Sequence, residues 1–394
     1  MGDAVILPAA TDLHVHFREP GGPAEAETIA TGTVGAALGG VALVGEMPNT
    51  RPPVTDLDSW REKVALVEGR AAVDVLLYAA PAEPRALSAL ARHAGGFKVY
   101  MAPTTGIDAP PALTEIPALW EQLTELRLPV SVHAEDPAGF DPREHPATPV
   151  GWNAARPVAA EARALEVMTT RTPPALRLHA AHVTTADGAR RLRRAHLSFE
   201  ATPHHLLLSD RSGADARFKV NPPLRSEAER AALWEAFRNG EVPMVASDHA
   251  PHPADAKQLP FERAPSGVPG VETLLPLLLA RVRSGELELG RLILAACERP
   301  ARWLGQPHGR LAPGHRAHLI VVDFRDRTKV VGAKLASPCG WSPFEGWEVV
   351  RPREHYRDGE RIVEAGEFVG RSSGKVVRPE YALGEPSATP TAPD

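Results

Sequence analysis

The chain has 394 residues, of which 43% are hydrophobic and 24% charged, with a formal net charge of −5. Such a length suits one large α/β barrel with an appendage, or two to three smaller domains. The acidic balance gives no basic field for nucleic acid, no run of about 18 apolar residues indicates a membrane span, and residues 1–10 lack the pattern of a signal peptide.

The cysteine content points in the same direction. Cys297 and Cys339 are the only two cysteines in the sequence, which is too few for a disulfide framework. We therefore expect a cytoplasmic protein with no nucleic acid and no membrane as partner.

Short β-rich runs alternate with helical patterns through most of the chain. Strands are predicted at about 11–17, 41–47, 73–80, 96–101, 129–134, 176–183, 197–202 and 242–248. Eight such units favour a (β/α)₈ TIM-type barrel. A doubly wound parallel sheet is the competing architecture.

The pattern changes after helices near 271–283 and 291–304. Alternating strands at 318–324 and 347–350 predict a small β-sandwich beside the barrel. We expect a barrel at 11–304, an appendage formed by 1–10 and 305–378, and a disordered tail at 379–394, which is rich in Pro, Ala, Ser and Thr.

The first predicted strand carries two histidines. In an alternating strand, His14 and His16 point to the same face, so both imidazoles can reach one metal ion. The pair alone is weak evidence, because 16 histidines produce such spacings by chance. Arg18 follows on the same face, and Pro20-Gly21 ends the strand.

Lys98 lies inside the fourth predicted strand, within Gly95–Met101. A lysine there is costly unless it is paired or chemically altered. It could extend to the barrel rim or pair with a carboxylate. With histidines nearby, a carboxylated lysine that bridges two metal ions is the better interpretation, because divalent cations stabilise the anionic carbamate.

Three further metal-ligand candidates lie near the ends of later strands: His133, His182 and Asp248. A core histidine is commoner than a ligand. His179 competes with His182, which we prefer because it is nearer the C-terminal end of its strand, where barrel active sites are built. Asp248 follows the apolar run 244–246, and a buried aspartate needs a strong partner such as a metal ion.

An ordered set of motifs then resembles the dihydroorotases of the amidohydrolase superfamily over nearly the whole chain. The matching segments are Asp12–Gly21, Met47–Thr50, Gly96–Met101, Val132–Glu135, Ala181–Val183, Thr202–His205, Lys219–Arg225, Ser247–His252 and Gly270–Thr273. The first two segments favour dihydroorotases over related cyclic amidases. Relatives usually carry a few dozen residues before the first barrel strand, whereas here that strand begins near residue 11.

The resemblance implies a centre with two Zn²⁺ ions per chain. His14, His16 and Asp248 would hold one ion, His133 and His182 the other, and N6-carboxylated Lys98 would bridge them. Zinc lowers the pKa of bound water to about 7. Asp248 would also be the catalytic residue that takes up and returns a proton.

The resemblance also implies a substrate site for dihydroorotate. Its carboxylate would meet Arg18, Asn49 and His252. Asn221 and the backbone at Ser266-Gly267 would contact the ring, and Thr104-Thr105 would form a lid. From the residues alone, plain turn chemistry beside proline also explains Asn49 and Asn221, and it is the stronger explanation for Asn221, which only the resemblance assigns to the site. The threonines suit an ordinary surface loop equally well.

The implied activity is reversible hydrolysis of L-dihydroorotate to N-carbamoyl-L-aspartate in pyrimidine biosynthesis. One alternative is a hydantoinase, dihydropyrimidinase or allantoinase type of cyclic amidase. A second is an inactive dihydroorotase-like partner of aspartate carbamoyltransferase, which is disfavoured because all six ligand positions are kept. A homodimer and an association with aspartate carbamoyltransferase both stay open.

Overall fold

Eight parallel strands form a barrel in the order in which the chain presents them. The computed structural model describes residues 4–81, 83–141 and 146–380. Strand β1 (Ala4–Pro8) lies outside the barrel. The barrel strands are β2 (Ala10–Val15), β3 (Val41–Glu46), β4 (Asp74–Ala79), β5 (Gly96–Tyr100), β6 (Val130–His133), β7 (Leu178–Ala180), β8 (Ser198–Ala201) and β9 (Met244–Val245). Sequential neighbours throughout confirm the barrel, since a doubly wound sheet reverses its strand order.

The barrel is nearly closed between its last and first strands. Beyond β9, His249 forms a parallel bridge with Val15 of β2. The backbone N–H of His16 donates to the His249 carbonyl at 2.7 Å. The contact brings the C-terminal ends of β2 and β9 together at one mouth.

Helices connect most of the strands on the outside. They are α1 (Ile29–Leu38), α2 (Leu57–Val67), α3 (Pro84–Leu90), α4 (Ile116–Thr124), α5 (Pro149–Ala155), α6 (Val158–Arg171), α7 (Ala186–Arg194), α8 (Pro203–Leu207), α9 (Glu227–Arg238), α10 (Leu274–Arg283), α11 (Leu289–Ile293) and α12 (Arg299–Trp303). Thr28 and Asp56 cap α1 and α2 through their side chains. No helix within the described ranges is long and apolar enough to cross a membrane.

The barrel strands are apolar on both faces, as expected for parallel strands covered by helices. Alternate positions such as Leu43, Leu76 and Met244 form one cluster, while their neighbours Val44, Val75 and Val245 join the cluster shared with the helices. The first set fills the barrel interior. Buried polar residues interrupt this apolar pattern at a few positions, among them Asp12, Lys98 and Glu200.

The appendage is a five-stranded antiparallel sheet. Its order is β1, β10 (Leu319–Asp323), β13 (Pro352–Arg357), β14 (Glu360–Glu364) and β15 (Glu367–Phe368). The run predicted at 347–350 instead contains β12 (Glu348–Val349), which pairs with β11 (Thr328–Lys329) in a separate two-stranded sheet. Strand β16 (Val376–Val377) pairs with barrel strand β4. Of the predicted tail, residues 381–394 lie outside the described residues.

Buried ion pairs join the appendage to the barrel. Arg357 in β13 donates to Asp74 in β4 at 2.8 Å, and Arg316 lies 2.8 Å from the other carboxylate oxygen. Asp74 is 1% exposed, and the two arginines compensate its buried negative charge. The ring of His355 contacts the Ala37 carbonyl at 2.8 Å.

Candidate functional site

A polar pocket opens at the C-terminal ends of the barrel strands. It is lined by His14, His16, Arg18, Asn49, Lys98, Tyr100, Thr104, Thr105, His133, His182, Asn221, Asp248, Ala250, Ser266 and Gly267. All the residues predicted for the site are in this set except His252, which contacts Arg18. The structure thus gathers residues that lie far apart in the chain.

Three side chains converge on one side of the pocket. The Nε2 atoms of His14 and His16 lie 3.2 Å apart, and Asp248 Oδ1 is 3.3 Å and 3.2 Å from them, respectively. The ligand atoms of this group all lie within 4.8 Å of one another. Two imidazoles and a carboxylate at this spacing suit a divalent metal ion.

The other two imidazoles contact each other next to His14. His133 Nδ1 and His182 Nε2 are 3.1 Å apart, and the rings of His14 and His182 are 5.3 Å apart. Lys98 is fully buried, with Nζ 3.2 Å from His14 Nε2. Within the described part of the chain Lys98 makes no ion pair with a carboxylate, although the charges of Asp248 and Glu200 act on it from farther away. His179 instead lies against Ser198 and Glu200, away from the pocket lining.

The outward nitrogens of three imidazoles have oxygen partners. Nδ1 of His14 lies 3.3 Å from Glu200, Nδ1 of His16 lies 2.8 Å from Asn49, and Nε2 of His133 lies 2.8 Å from Glu135. Such partners set the ring orientation and leave the inward nitrogen free to ligate. The donor arrangement therefore fits metal ions held by the inward nitrogens.

Burial governs the protonation of this centre. It lowers the pKa of His14, His16, His133 and His182, so the imidazoles are neutral, which is the form that binds metals. Burial also lowers the pKa of Lys98 to about 8 and raises that of Asp248 to about 6. A neutral lysine amine is the form that reacts with carbon dioxide to give a carbamate.

Backbone conformation marks the same residues. Arg18, His182 and Asp248 have φ values of 67°, 40° and 46°, in the left-handed region that residues with side chains seldom adopt. Strain of this kind persists where surrounding contacts impose it, often at active sites. Next to Asp248, buried Asp12 accepts the backbone N–H of Ser247 at 2.9 Å. The turn that aims Asp248 into the pocket is therefore held from β2.

Arg18 forms the opposite wall of the pocket. Its Nε donates to the Pro251 carbonyl at 3.2 Å, and Nη2 lies 3.1 Å from His252 Nε2. The residue is 9% exposed, and burial lowers the pKa of its guanidinium to about 10. His252 Nε2 is also 2.9 Å from the Ser266 carbonyl. A buried guanidinium beside neutral polar groups suits a carboxylate ligand.

The loop after β5 reaches across the pocket. The Asn49 side-chain amide donates to the Thr105 carbonyl at 2.9 Å, and Asn221 donates to the Thr104 hydroxyl at 3.3 Å. The Thr105 hydroxyl donates to the Ser266 carbonyl at 3.2 Å. The two asparagines, which plain turn chemistry also explained, thus hold the threonine loop against the pocket.

Several residues of the site lie outside the set predicted from the sequence. Tyr100 lines the pocket, and its hydroxyl has no hydrogen-bond partner among the described residues. Glu135 contacts both His133 and Arg156. Asp12, Tyr100 and Glu135 each lie two positions from a predicted ligand, so the alternation that paired His14 with His16 could have found them. Glu200, which is buried in β8, is identified by the structure.

The barrel and the histidine-rich pocket at its C-terminal mouth define an enzyme of the barrel hydrolase class. The profile of the amidohydrolase family matches residues 5–349. The chain belongs to the amidohydrolase family, as its motifs predicted.

Two similar proteins are dihydroorotases, and one similar solved structure is a hydantoinase. The chain is 37% identical over 384 residues to a dihydroorotase of Halobacterium salinarum, covering 95% of this chain and 90% of that one. It is 36% identical over 384 residues to a dihydroorotase of Methanosarcina acetivorans, covering 91% and 82%. Among solved structures, an L-hydantoinase (dihydropyrimidinase) from Arthrobacter aurescens superimposes with a TM-score of 0.87 at 28% identity, covering 95% of this chain and 88% of that chain.

Proposed function

We propose that this protein is a dihydroorotase, which interconverts L-dihydroorotate and N-carbamoyl-L-aspartate. The observation that carries the proposal is Arg18, a buried guanidinium in the pocket wall facing the cluster of His14, His16 and Asp248. A cyclic amide that carries a carboxylate would place its charge at Arg18 and its amide near that cluster. The dihydroorotases among the relatives support the same substrate.

We further propose that the pocket holds two zinc ions. His14, His16 and Asp248 would bind one ion, and His133 with His182 the other, with Lys98 between them as a carbamate. The proposal is supported by the ligand-atom spacing, by the neutral imidazoles and by the oxygen partners of the outward nitrogens. When bound, the ions would polarise the amide carbonyl and acidify water.

Asp248 would carry the proton during the reaction. Its carboxylate lies in the pocket beside His14 and His16. Burial raises its pKa to about 6, which makes it basic enough to accept a proton near neutral pH. It would take a proton from the attacking water, whose oxygen adds to the amide carbon. As the ring C–N bond breaks, the same proton would pass to the leaving nitrogen. In the reverse direction these groups would close the ring.

The other pocket groups would hold the substrate in place. Arg18, Asn49 and His252 would bind the carboxylate, while Asn221 would contact the ring. The backbone at 266–267 would border the ring. The loop at Thr104-Thr105 would act as a lid, consistent with its hydrogen bonds to three walls of the pocket.

A hydantoinase type of cyclic amidase is the second candidate. It is favoured by the structural match to the L-hydantoinase at 28% identity. That class shares the barrel but acts on other cyclic amides, and an uncharged ring would leave the guanidinium of Arg18 without a carboxylate partner. We therefore place this function second.

Cyclisation of N-carbamoyl-L-aspartate, measured before and after chelation and again after zinc is restored, tests the proposal. We expect turnover that chelation abolishes and zinc restores, with about two zinc ions per chain by metal analysis. Activity on dihydrouracil with none on L-dihydroorotate would instead establish the hydantoinase type.

The cytoplasmic location of the protein stays a prediction.

A further inference from the structure

The segment 253–268 forms one wall of the pocket with almost no regular secondary structure. It leaves the barrel after β9, contains one 3-10 turn at Ala256–Gln258, and returns at Val268, which bridges His249. Ser266 and Gly267 line the pocket. Turns within the segment pair the carbonyls of Pro253, Asp255 and Pro260. Buried carbonyls elsewhere in it have no sheet or helix partner and must be satisfied by other groups.

Two buried lysines supply these hydrogen bonds. Lys257, which is 3% exposed, donates from Nζ to the carbonyls of Pro265 and Gly267 at 2.9 Å each and of Lys219 at 3.4 Å. The Nζ of Lys219 donates to the carbonyls of Phe261 (2.7 Å), Glu262 (3.2 Å) and Ala264 (2.8 Å). Each amine meets three acceptors, which matches the three N–H groups of an ammonium.

Lys257 is the lysine whose carbonyl partners reach the pocket. Gly267 has φ +134°, and a Cβ there would lie 2.4 Å from the Ala250 carbonyl oxygen and 3.1 Å from His252 Nε2. Trp341 donates to the His252 carbonyl at 2.9 Å, and its ring centre lies 5.4 Å from Lys257 Nζ. Lys257 is thus hydrogen-bonded to Gly267, which lines the pocket together with Arg18. It also lies against Trp341, which holds His252, a direct partner of Arg18.

Positively charged side chains cluster at this wall, namely Lys219 and Lys257 with Arg18 nearby. Within the described residues, neither Arg18 nor Lys257 forms an ion pair with a carboxylate. Burial, followed by the charges of Lys219 and Arg18, lowers the pKa of Lys257 to about 7. Because the interaction between charges is strong in a buried site, an anionic ligand at Arg18 would relieve the repulsion among these cations.

We propose that Lys257 is a positioning and specificity-determining residue, which holds the Ser266-Gly267 backbone against the substrate and, with Arg18, favours a cyclic amide that carries a carboxylate. The inference rests on the proposed function, since it concerns the substrate of the same site. No contact between Lys257 and the reacting atoms is required.

The test compares Lys257→Met, Lys257→Gln and the matched surface variant Lys334→Met in the zinc-loaded protein. The probes are L-dihydroorotate for kinetics, and orotate and its methyl ester for calorimetric binding, because the ester keeps the ring but lacks the charge. In Lys257→Met we expect the KM for L-dihydroorotate and the Kd for orotate to rise about tenfold, with kcat and the ester Kd within about threefold of wild type. Lys257→Gln keeps N–H donors but no charge, so its KM and its orotate Kd should lie between those of wild type and Lys257→Met. Lys334→Met should match wild type.

Melting temperature and zinc content separate these effects from loss of the fold. An unchanged ratio of orotate to ester affinity in folded Lys257→Met would overturn the inference while leaving the proposed function intact. A wild-type protein that neither turns over L-dihydroorotate nor binds orotate would overturn both. If both Lys257 variants fail to fold, the residue is structural and the inference is wrong.

Discussion

Replacing Arg18 with methionine removes the guanidinium and keeps most of the side-chain volume. The buried guanidinium is the cation that lines the pocket opposite Asp248. Hydrogen bonds to charged groups contribute roughly 1.5–3 kcal/mol each, so losing the carboxylate contact should cost about 3 kcal/mol, or roughly a hundredfold in kcat/KM. We expect the loss for L-dihydroorotate, and a weaker effect on orotate methyl ester binding.

Steady-state cyclisation and hydrolysis assays measure this loss, with orotate calorimetry as the binding readout. Arg18→Lys keeps the charge without the planar fork and should retain part of the activity. Arg361→Met, at an exposed position of β14, serves as the control. A loss below threefold in folded, zinc-loaded Arg18→Met, or an equal loss of affinity for the uncharged ester, would refute the assignment of the carboxylate to Arg18.

The remaining predictions concern proton transfer, acid stability and the barrel–appendage contact. Asp248→Asn should reduce turnover by about 10²–10⁴-fold with the fold retained, and a residual rate above about a tenth of wild type would contradict its role. Burial lowers the pKa of His308 in the folded protein to about 3. Below the unfolded pKa of about 6.5, the unfolded chain therefore binds a proton that the folded chain does not, and stability falls as the pH falls. His308→Gln should therefore reduce the stability lost between pH 7.5 and 5 by about 2 kcal/mol in urea titrations, and an unchanged pH dependence would contradict this. Asp74→Ala leaves Arg357 buried without its carboxylate and should lower the free energy of unfolding by about 3–5 kcal/mol, whereas Asp326→Ala, at an exposed position, should change it little.

The strands and the site differ in how far local patterns predict them. Each barrel strand is a short apolar run between turns, so its position follows from neighbouring residues, and the predicted runs at 41–47 and 96–101 match β3 and β5 closely. The candidate ligands followed from the same runs, because polar residues within or just after apolar runs are conspicuous. The run at 347–350 was also predicted as a strand, but its pairing with β11 was not, since a strand pattern does not specify its partner.

The sequence by itself determined the barrel, the strand ends at its mouth and the chemical types gathered there, because alternation and residue chemistry act over a few positions. Only the tertiary structure decided which groups support them. Glu200 faces His14 across 186 positions, Arg357 meets Asp74 across 283, and Lys257 caps a wall of irregular backbone. These partners satisfy charges and carbonyls that become buried only when the chain folds. Because that burial depends on residues far apart in the chain, no local sequence pattern indicates which residues will pair.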